Sequence, residues 1–208
     1  MIDKFVISGL FYKIGNYKLR KYLDIKLQSS NLTQPDLMVV MMNPGSSHPF
    51  DGIDHNDSPT EAKPDKTQEQ IMKVMCISSF EYARVLNLSD LRTPDSNKLY
   101  AFIRSRESKA IHHSIFSGDR ESDFSSLFIN NVPVIFGWGV SPILADLAKQ
   151  AIKRIDHPNP IGLQKIQDQY AYYHPLPRTN QKQIEWVNEI TKMLADQLKL
   201  PPFGKVSC

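Results

Sequence analysis

Residues 37–42, Leu-Met-Val-Val-Met-Met, form a continuous apolar run that stops at Asn43-Pro44-Gly45. A run this short, without polar alternation and closed by a Pro-Gly turn, is the pattern of a strand buried on both faces. Such strands occur where helices cover both sides of a parallel sheet. Residues 84–91 (RVLNLSDL), 132–139 (VPVIFGWG) and 170–173 (YAYY) read as three further runs. Helical patterns separate them: one from Asp65, two pieces over 96–130 divided at Ser117-Gly118-Asp119, one after Ser141-Pro142, and one from Gln181 to Leu198. The expected architecture is a three-layer α/β/α domain around a central, mainly parallel four-stranded sheet. The alternating segment YLDIKL (22–27) is expected to add an N-terminal edge strand.

The chain's 208 residues suit a single domain over 1–208. A formal charge of +3, 41% hydrophobic and 23% charged residues describe an ordinary soluble chain and exclude disorder and collagen. Two cysteines, Cys76 and Cys208, are too few for a four-thiolate cluster. The apolar stretch Phe5-Val6-Ile7 is too short for a signal peptide, and no window reaches membrane-spanning length, so a cytoplasmic location without membrane contact is expected. Neither a cofactor nor a metal is implied by any motif.

Fourteen prolines against nine glycines is an unusual balance. The prolines gather at the ends of the apolar runs: Pro44 after the first, Pro94 after the second, Pro175 after the fourth, and Pro142 opening the helix after the third. Ligands of open α/β sheets bind outside the carboxyl ends of the strands, so the constrained turns are where a site is expected. A polar loop from residue 46 to 64, interrupted by Pro49, Pro59 and Pro64, is too long for a simple connection.

Two turns carry candidate chemistry. In MMNPGSSHPFDG (41–52), Pro44 stiffens the backbone, Gly45 permits a positive φ, and Asn43 offers an amide donor and a carbonyl acceptor. The alternative is a tight turn in which Asn43 caps its own backbone. In YYHPLPRTNQ (172–181), His174 is held between a strand end and Pro175 and could donate to a ligand carbonyl or a developing negative charge; equally, it could bond backbone.

Other residues are candidates by position. Phe50 could stack on a base or anchor the loop, Asp51 or Asp54 could place negative charge near a sugar, and Trp138 could stack on a base or plug the bottom of the pocket. Arg92 and Arg178, at strand ends, are candidate phosphate contacts. Basic residues cluster modestly in 13–26 (Lys13, Lys18, Arg20, Lys21, Lys26) and in 92–120, as a nucleic-acid face or a solvated one. His112-His113 reads as a helix-face pair. Between His48 and Glu69 lie six acids and two histidines, the donors of a hard-metal hydrolase, although their spacing matches no metal motif and a solvated acidic loop also accounts for them.

NPGSSHP, Asp65-Lys66-Thr67, NLSDLRTP (87–94), VIFGWGV (134–140) and YHPLP (173–177) resemble, in order, the landmarks of the bacterial and phage domain-of-unknown-function family 1643, from about residue 17 to 195. Met41-Met42-Asn43-Pro44-Gly45 and His174-Pro175-Leu176-Pro177-Arg178 are in turn similar to the first and late motifs of the uracil-DNA glycosylase superfamily. This resemblance implies a glycosylase-like fold in which Asn43 positions the attacking water and His174 stabilises the leaving base. Binding of DNA, RNA or a small nucleobase or nucleotide, and hydrolysis of an N-glycosidic bond, are then the expected activities. A non-catalytic nucleotide or nucleic-acid binding module and a metal-dependent hydrolase are the alternatives. Met41 stands where the superfamily has glycine, Leu176 where it has serine, and the cysteines of its iron–sulfur branches are absent.

Overall fold

A computed structural model describes residues 2–199. Cys208 lies outside the described residues. The chain opens with two long strands, β1 (Phe5–Ile14) and β2 (Tyr17–Leu27), joined as a hairpin through Gly15-Asn16. Gly15 sits at φ +56°, the left-handed conformation that a tight hairpin turn needs and glycine adopts without strain. There follow β3 (Leu37–Met41), the short β4 (His48–Pro49) and β5 (Thr60–Lys63), α1 (Lys66–Ser78) and β6 (Tyr82–Asn87). The second half holds α2 (Ser96–Arg104), α3 (Glu107–Ala110), α4 (Glu121–Leu127), β7 (Val134–Gly137), α5 (Ala145–Ile155) and α6 (Asn180–Leu198).

The fold is α/β, but the sheet is not the four-stranded parallel one expected. Among the described residues it has seven strands in the order β4-β5-β1-β2-β6-β3-β7. Only β6-β3 and β3-β7 pair in parallel, and the other four neighbours are antiparallel. Three misreadings account for the difference. β1 is not expected as a strand at all, and β4 and β5 lie within the 46–64 segment expected to be a loop, which together add three strands. YLDIKL is the second half of β2 and lies between β1 and β6 rather than at an edge. YAYY forms no strand: Tyr172 makes single bridges to Gly139 and Gln164, and the run ends at Pro175, which has no N–H to extend a ladder.

The parallel strands are buried on both faces, as their unbroken apolar sequence requires. On one side Val39, Val85 and Ile135, with Leu23, Ile25 and Phe11 of the hairpin, pack against Ile71, Met72 and Met75 of α1 and Val187, Ile190 and Leu194 of α6. On the other side Met38, Val40, Leu86, Val134 and Phe136 pack against Ala148, Ala151 and Ile155 of α5 and the ring of Phe128. Each fully buried aliphatic or aromatic side chain of these layers is worth roughly 1.5–3 kcal/mol. No helix among the described residues is long and apolar enough to cross a membrane.

One irregularity shapes the site. The β1–β2 register pairs Leu10 with Tyr22 but Phe11 with Arg20, so Lys21 is an extra residue on β2. Such a bulge shifts the side-chain alternation by one. Leu23 and Ile25 face α1 and α6 beyond the bulge; before it, Arg20 takes that face beside its partner Phe11, and Leu19 joins a small cluster with Leu91, Leu99 and Phe102 of α2.

Candidate functional site

A cavity of about 580 Å³ opens where the carboxyl end of β3 and the neighbouring β6 meet the N-terminus of α1. Its wall includes Arg20, Asn43, Pro44, Gly45, Asp65 and His174, with Lys63, Lys66 and Glu69 nearer the rim. The volume falls in the range of small-molecule sites, roughly 300–1,000 Å³.

Asn43 does not cap its own turn. Its Nδ2 donates to the carbonyls of Leu91 at 3.0 Å and Thr93 at 2.8 Å, which ties the end of β3 to the loop after β6. Two carbonyl acceptors define the amide's orientation. Oδ1 is left with no hydrogen-bond partner among the described residues. Next in the chain, Gly45 adopts φ +62°, and a Cβ there would stand 3.2 Å from Asp65 Oδ2, so the glycine lets the Asp65 carboxylate approach the turn.

Asp65 is the N-cap of α1. Its Oδ1 accepts from the N–H groups of Thr67 (2.9 Å) and Gln68 (3.1 Å), while Gln68 Oε1 accepts from the Asp65 N–H, a reciprocal capping box. Oδ2 accepts no hydrogen bond from the described residues.

His174 reaches the cavity because its segment is clamped from both sides. Pro175 packs over Gly137 at the end of β7, where a Cβ would meet the proline ring at 3.1 Å, and Trp186 Nε1 donates to the Tyr173 carbonyl at 3.1 Å. His174 Nδ1 accepts from the Leu176 N–H at 3.1 Å, so the ring proton of the neutral imidazole resides on Nε2. Burial lowers the His174 pKa to about 4, against a smaller opposing pull from Asp65, and the imidazole is neutral at physiological pH. His174 also lines an apolar groove of about 560 Å³ with Leu163, Tyr173, Pro177 and Trp186.

Beneath Asn43 lies Asn87, fully buried at the end of β6. With its amide set to satisfy both ends, Nδ2 donates to the Asn43 carbonyl at 3.2 Å and Oδ1 accepts from Arg20 Nη2 at 3.2 Å. Arg20 is 2% exposed, and its Nε and Nη1 have no partner among the described residues. Burial pulls its pKa down to about 10, partly offset by Asp65 and Asp90, so the guanidinium stays charged.

Asn43, Pro44, Gly45 and His174 are thus brought together; the other sequence candidates are not. Phe50 is 73% exposed on the β4–β5 hairpin, outside the cavity and not packed on the core as a loop anchor. Asp51 lies on the same exposed loop, accepting from the Ile53 N–H (2.9 Å) and pairing with His55 (2.7 Å). Arg92 is consumed internally: its guanidinium pairs with buried Asp54, donates to the Ser47 carbonyl at 3.2 Å and lies 5.0 Å from the Phe11 ring centroid. Trp138 is fully buried among Phe136 and Tyr172 and donates to the Tyr170 carbonyl at 2.7 Å, so it is a core plug. Arg178 is exposed and does not line the cavity. His112 and His113 follow α3 rather than sharing a helix face; His112 pairs with Asp119, and His113 is buried against Ser89 Oγ at 2.9 Å.

The acids of the 48–69 loop also disperse, Asp51 to His55, Asp54 to Arg92 and Asp65 to the helix cap. Among the described residues no three His, Cys, Asp or Glu side chains converge as metal ligands. What the sequence reading missed is Arg20 and Asp65. In the sequence Asp65 marks a helix start but nothing marks it as a cavity residue, and Arg20 reads only as part of a basic flank, because the bulge that turns it inward has no signature in β2 alone. Comparison of the chain with protein-family models, with curated proteins and with solved structures finds no match.

Proposed function

We propose that the chain belongs with the glycosylase-like α/β proteins it resembles, takes a nucleobase-bearing ligand into the strand-end cavity and hydrolyses its N-glycosidic bond. The observation that carries this reading is the pairing of Asn43 and His174 on one cavity, each with the required atom unspent: Oδ1 of Asn43 as an acceptor, and Nε2–H of His174 as a donor.

In this mechanism Asn43 Oδ1 accepts a hydrogen bond from water and directs its oxygen at the anomeric carbon. As the glycosidic bond breaks, the base leaves with the bonding electron pair, and neutral His174 donates Nε2–H to the oxygen on which that charge develops. The Asp65 carboxylate, on the cavity wall, faces the positive charge that forms on the sugar, a part for which the sequence alone suggests Asp51 or Asp54. Water adds to the sugar, and its released proton ends on the base. The ligand is a free nucleotide or a nucleotide turned out of a DNA or RNA strand, since a stacked duplex cannot enter a cavity of this size.

The test is base release, scored by chromatography, from nucleosides, nucleotides and strands containing uracil, hypoxanthine or xanthine. Asn43→Ala and His174→Ala are each expected to slow release by about 10²–10³-fold. Unchanged release by the double variant would overturn the mechanism, whereas wild-type binding without release would leave a nucleotide-binding module.

A further inference from the structure

Arg20 is not used by the mechanism above, and its situation is unusual. A guanidinium 2% exposed has one side-chain partner, the Asn87 amide oxygen, and two orphaned donors, Nε and Nη1. Buried charges are ordinarily paired, because an unpaired one keeps its desolvation penalty uncompensated. The carboxylates nearest in influence form no ion pair with Arg20: Asp65 caps α1 through Oδ1, and Asp90 pairs with Arg120 and accepts from the Tyr12 hydroxyl (2.7 Å) through Oδ2. Arg20 nevertheless lines the cavity, beside the positive end of the thirteen-residue helix α1. Three cations face it, Arg20, Lys63 and Lys66, against two carboxylates, Asp65 and Glu69.

We infer that the Arg20 end of the cavity seats a phosphate group, so that the substrate class is a phosphorylated nucleotide rather than a free base or nucleoside. This rests on the reading of the cavity as a nucleotide site. Phosphate supplies the counter-charge that Arg20 lacks, and guanidinium is the side chain best matched to a phosphate group. The Arg20–Asn87–Asn43 chain of hydrogen bonds then links the phosphate seat to the residue that orients water. Phosphate binding would thereby help to set the Asn43 turn.

Titration calorimetry at constant ionic strength separates the possibilities. Inorganic phosphate and ribose 5-phosphate are expected to bind, and ribose and free bases to bind far more weakly. Adenosine monophosphate and a short oligonucleotide, run in parallel, tell a phosphate monoester from a diester. Arg20→Met should weaken ribose 5-phosphate by about ten- to a hundredfold, the loss of one or two charge-assisted hydrogen bonds. It should leave the melting temperature of the ligand-free chain unchanged or raised, since an uncompensated buried charge is removed. Asp65→Asn keeps a good helix cap while deleting the opposing carboxylate, and should tighten ribose 5-phosphate severalfold, a direction that misfolding cannot imitate. Absence of phosphate binding by the wild-type chain, or Arg20→Met affinity equal to wild type, would overturn the inference. Phosphate binding without release of any base would sustain it and remove the glycosidic step; base release from nucleosides as fast as from nucleotides, with no phosphate affinity, would do the reverse.

Discussion

Two histidines make the stability of this chain depend on pH in a way whose size can be worked out. Burial lowers both His113 and His174 from the ordinary 6.5 to about 4; the Arg120 charge adds to the effect at His113, while Asp65 opposes it at His174. Both are neutral in the folded chain and protonate first in the unfolded one. Stability is therefore complete above pH 6.5 and falls as the pH drops from 6.5 toward 4. At pH 5 each histidine removes about 2 kcal/mol, roughly 4 kcal/mol for the pair. Asp90 works in the opposite sense. Burial raises it from 3.8 to about 6 against the pull of Arg120, so the folded chain takes up its proton first, and acidification through pH 6 returns about 1 kcal/mol by pH 5. The net expectation is a loss of about 3 kcal/mol between pH 7.5 and 5, a large part of the roughly 5–15 kcal/mol typical of a domain. Carboxylates held low, such as Asp123, act below this window. Urea unfolding followed by the fluorescence of buried Trp138 and Trp186 at each pH is a suitable assay. In a His113→Gln, His174→Gln chain the histidine contribution vanishes, and the slope should reverse, with Asp90 alone making the chain more stable at pH 5 than at 7.5. A wild-type chain equally stable at the two pH values, or a double variant that keeps the full loss, would refute the reasoning.

Other expectations separate scaffold from site. Arg92→Ala leaves Asp54, whose side chain is 2% exposed, without its close partner; the cost is about 3–5 kcal/mol by urea unfolding, with ligand affinity little changed, because neither residue lines the cavity. Trp138→Phe removes the donor to the Tyr170 carbonyl and should cost about 1–2 kcal/mol, again without an effect on nucleotide binding; a selective loss of binding would return Trp138 to the site. Gly45→Ala forces φ +62° on a residue with a Cβ and crowds Asp65, so about 1–2 kcal/mol of stability should be lost together with ligand affinity, measurable by thermal melting and calorimetry on the same sample.

Which parts of this fold were legible in the sequence follows from how local their determinants are. The run 37–42 became β3, the start at Asp65 became a capping box, and the last helix fell within a residue of its expected beginning, since each is decided by periodicity and end chemistry along one segment. The Asn43 and His174 turns share one cavity, but not for the reason the sequence suggests: His174 ends no strand, and its segment is carried there by Pro175 packing on Gly137 at the end of β7. What escaped depends on partners distant in the chain. Phe5-Val6-Ile7 reads only as a run too short for a signal peptide, and the strand it opens, which reaches Ile14, exists through its pairing with β2; β2 in turn looks like an edge until β1 covers it. YAYY has the composition of a strand but finds only isolated partners at Gly139 and Gln164. Arg20 is the telling case. In an unbroken strand it would share a face with Tyr22 and Asp24, and only the extra residue at Lys21, visible solely against β1, places it with Leu23 and Ile25 on the core side. A single slip of register thus turns one residue of a basic flank into an unpaired charge inside the cavity. A bulge that buries an unpaired charge weakens a scaffold, so its presence at the carboxyl ends of β3 and β6 points to a ligand as the missing counter-ion.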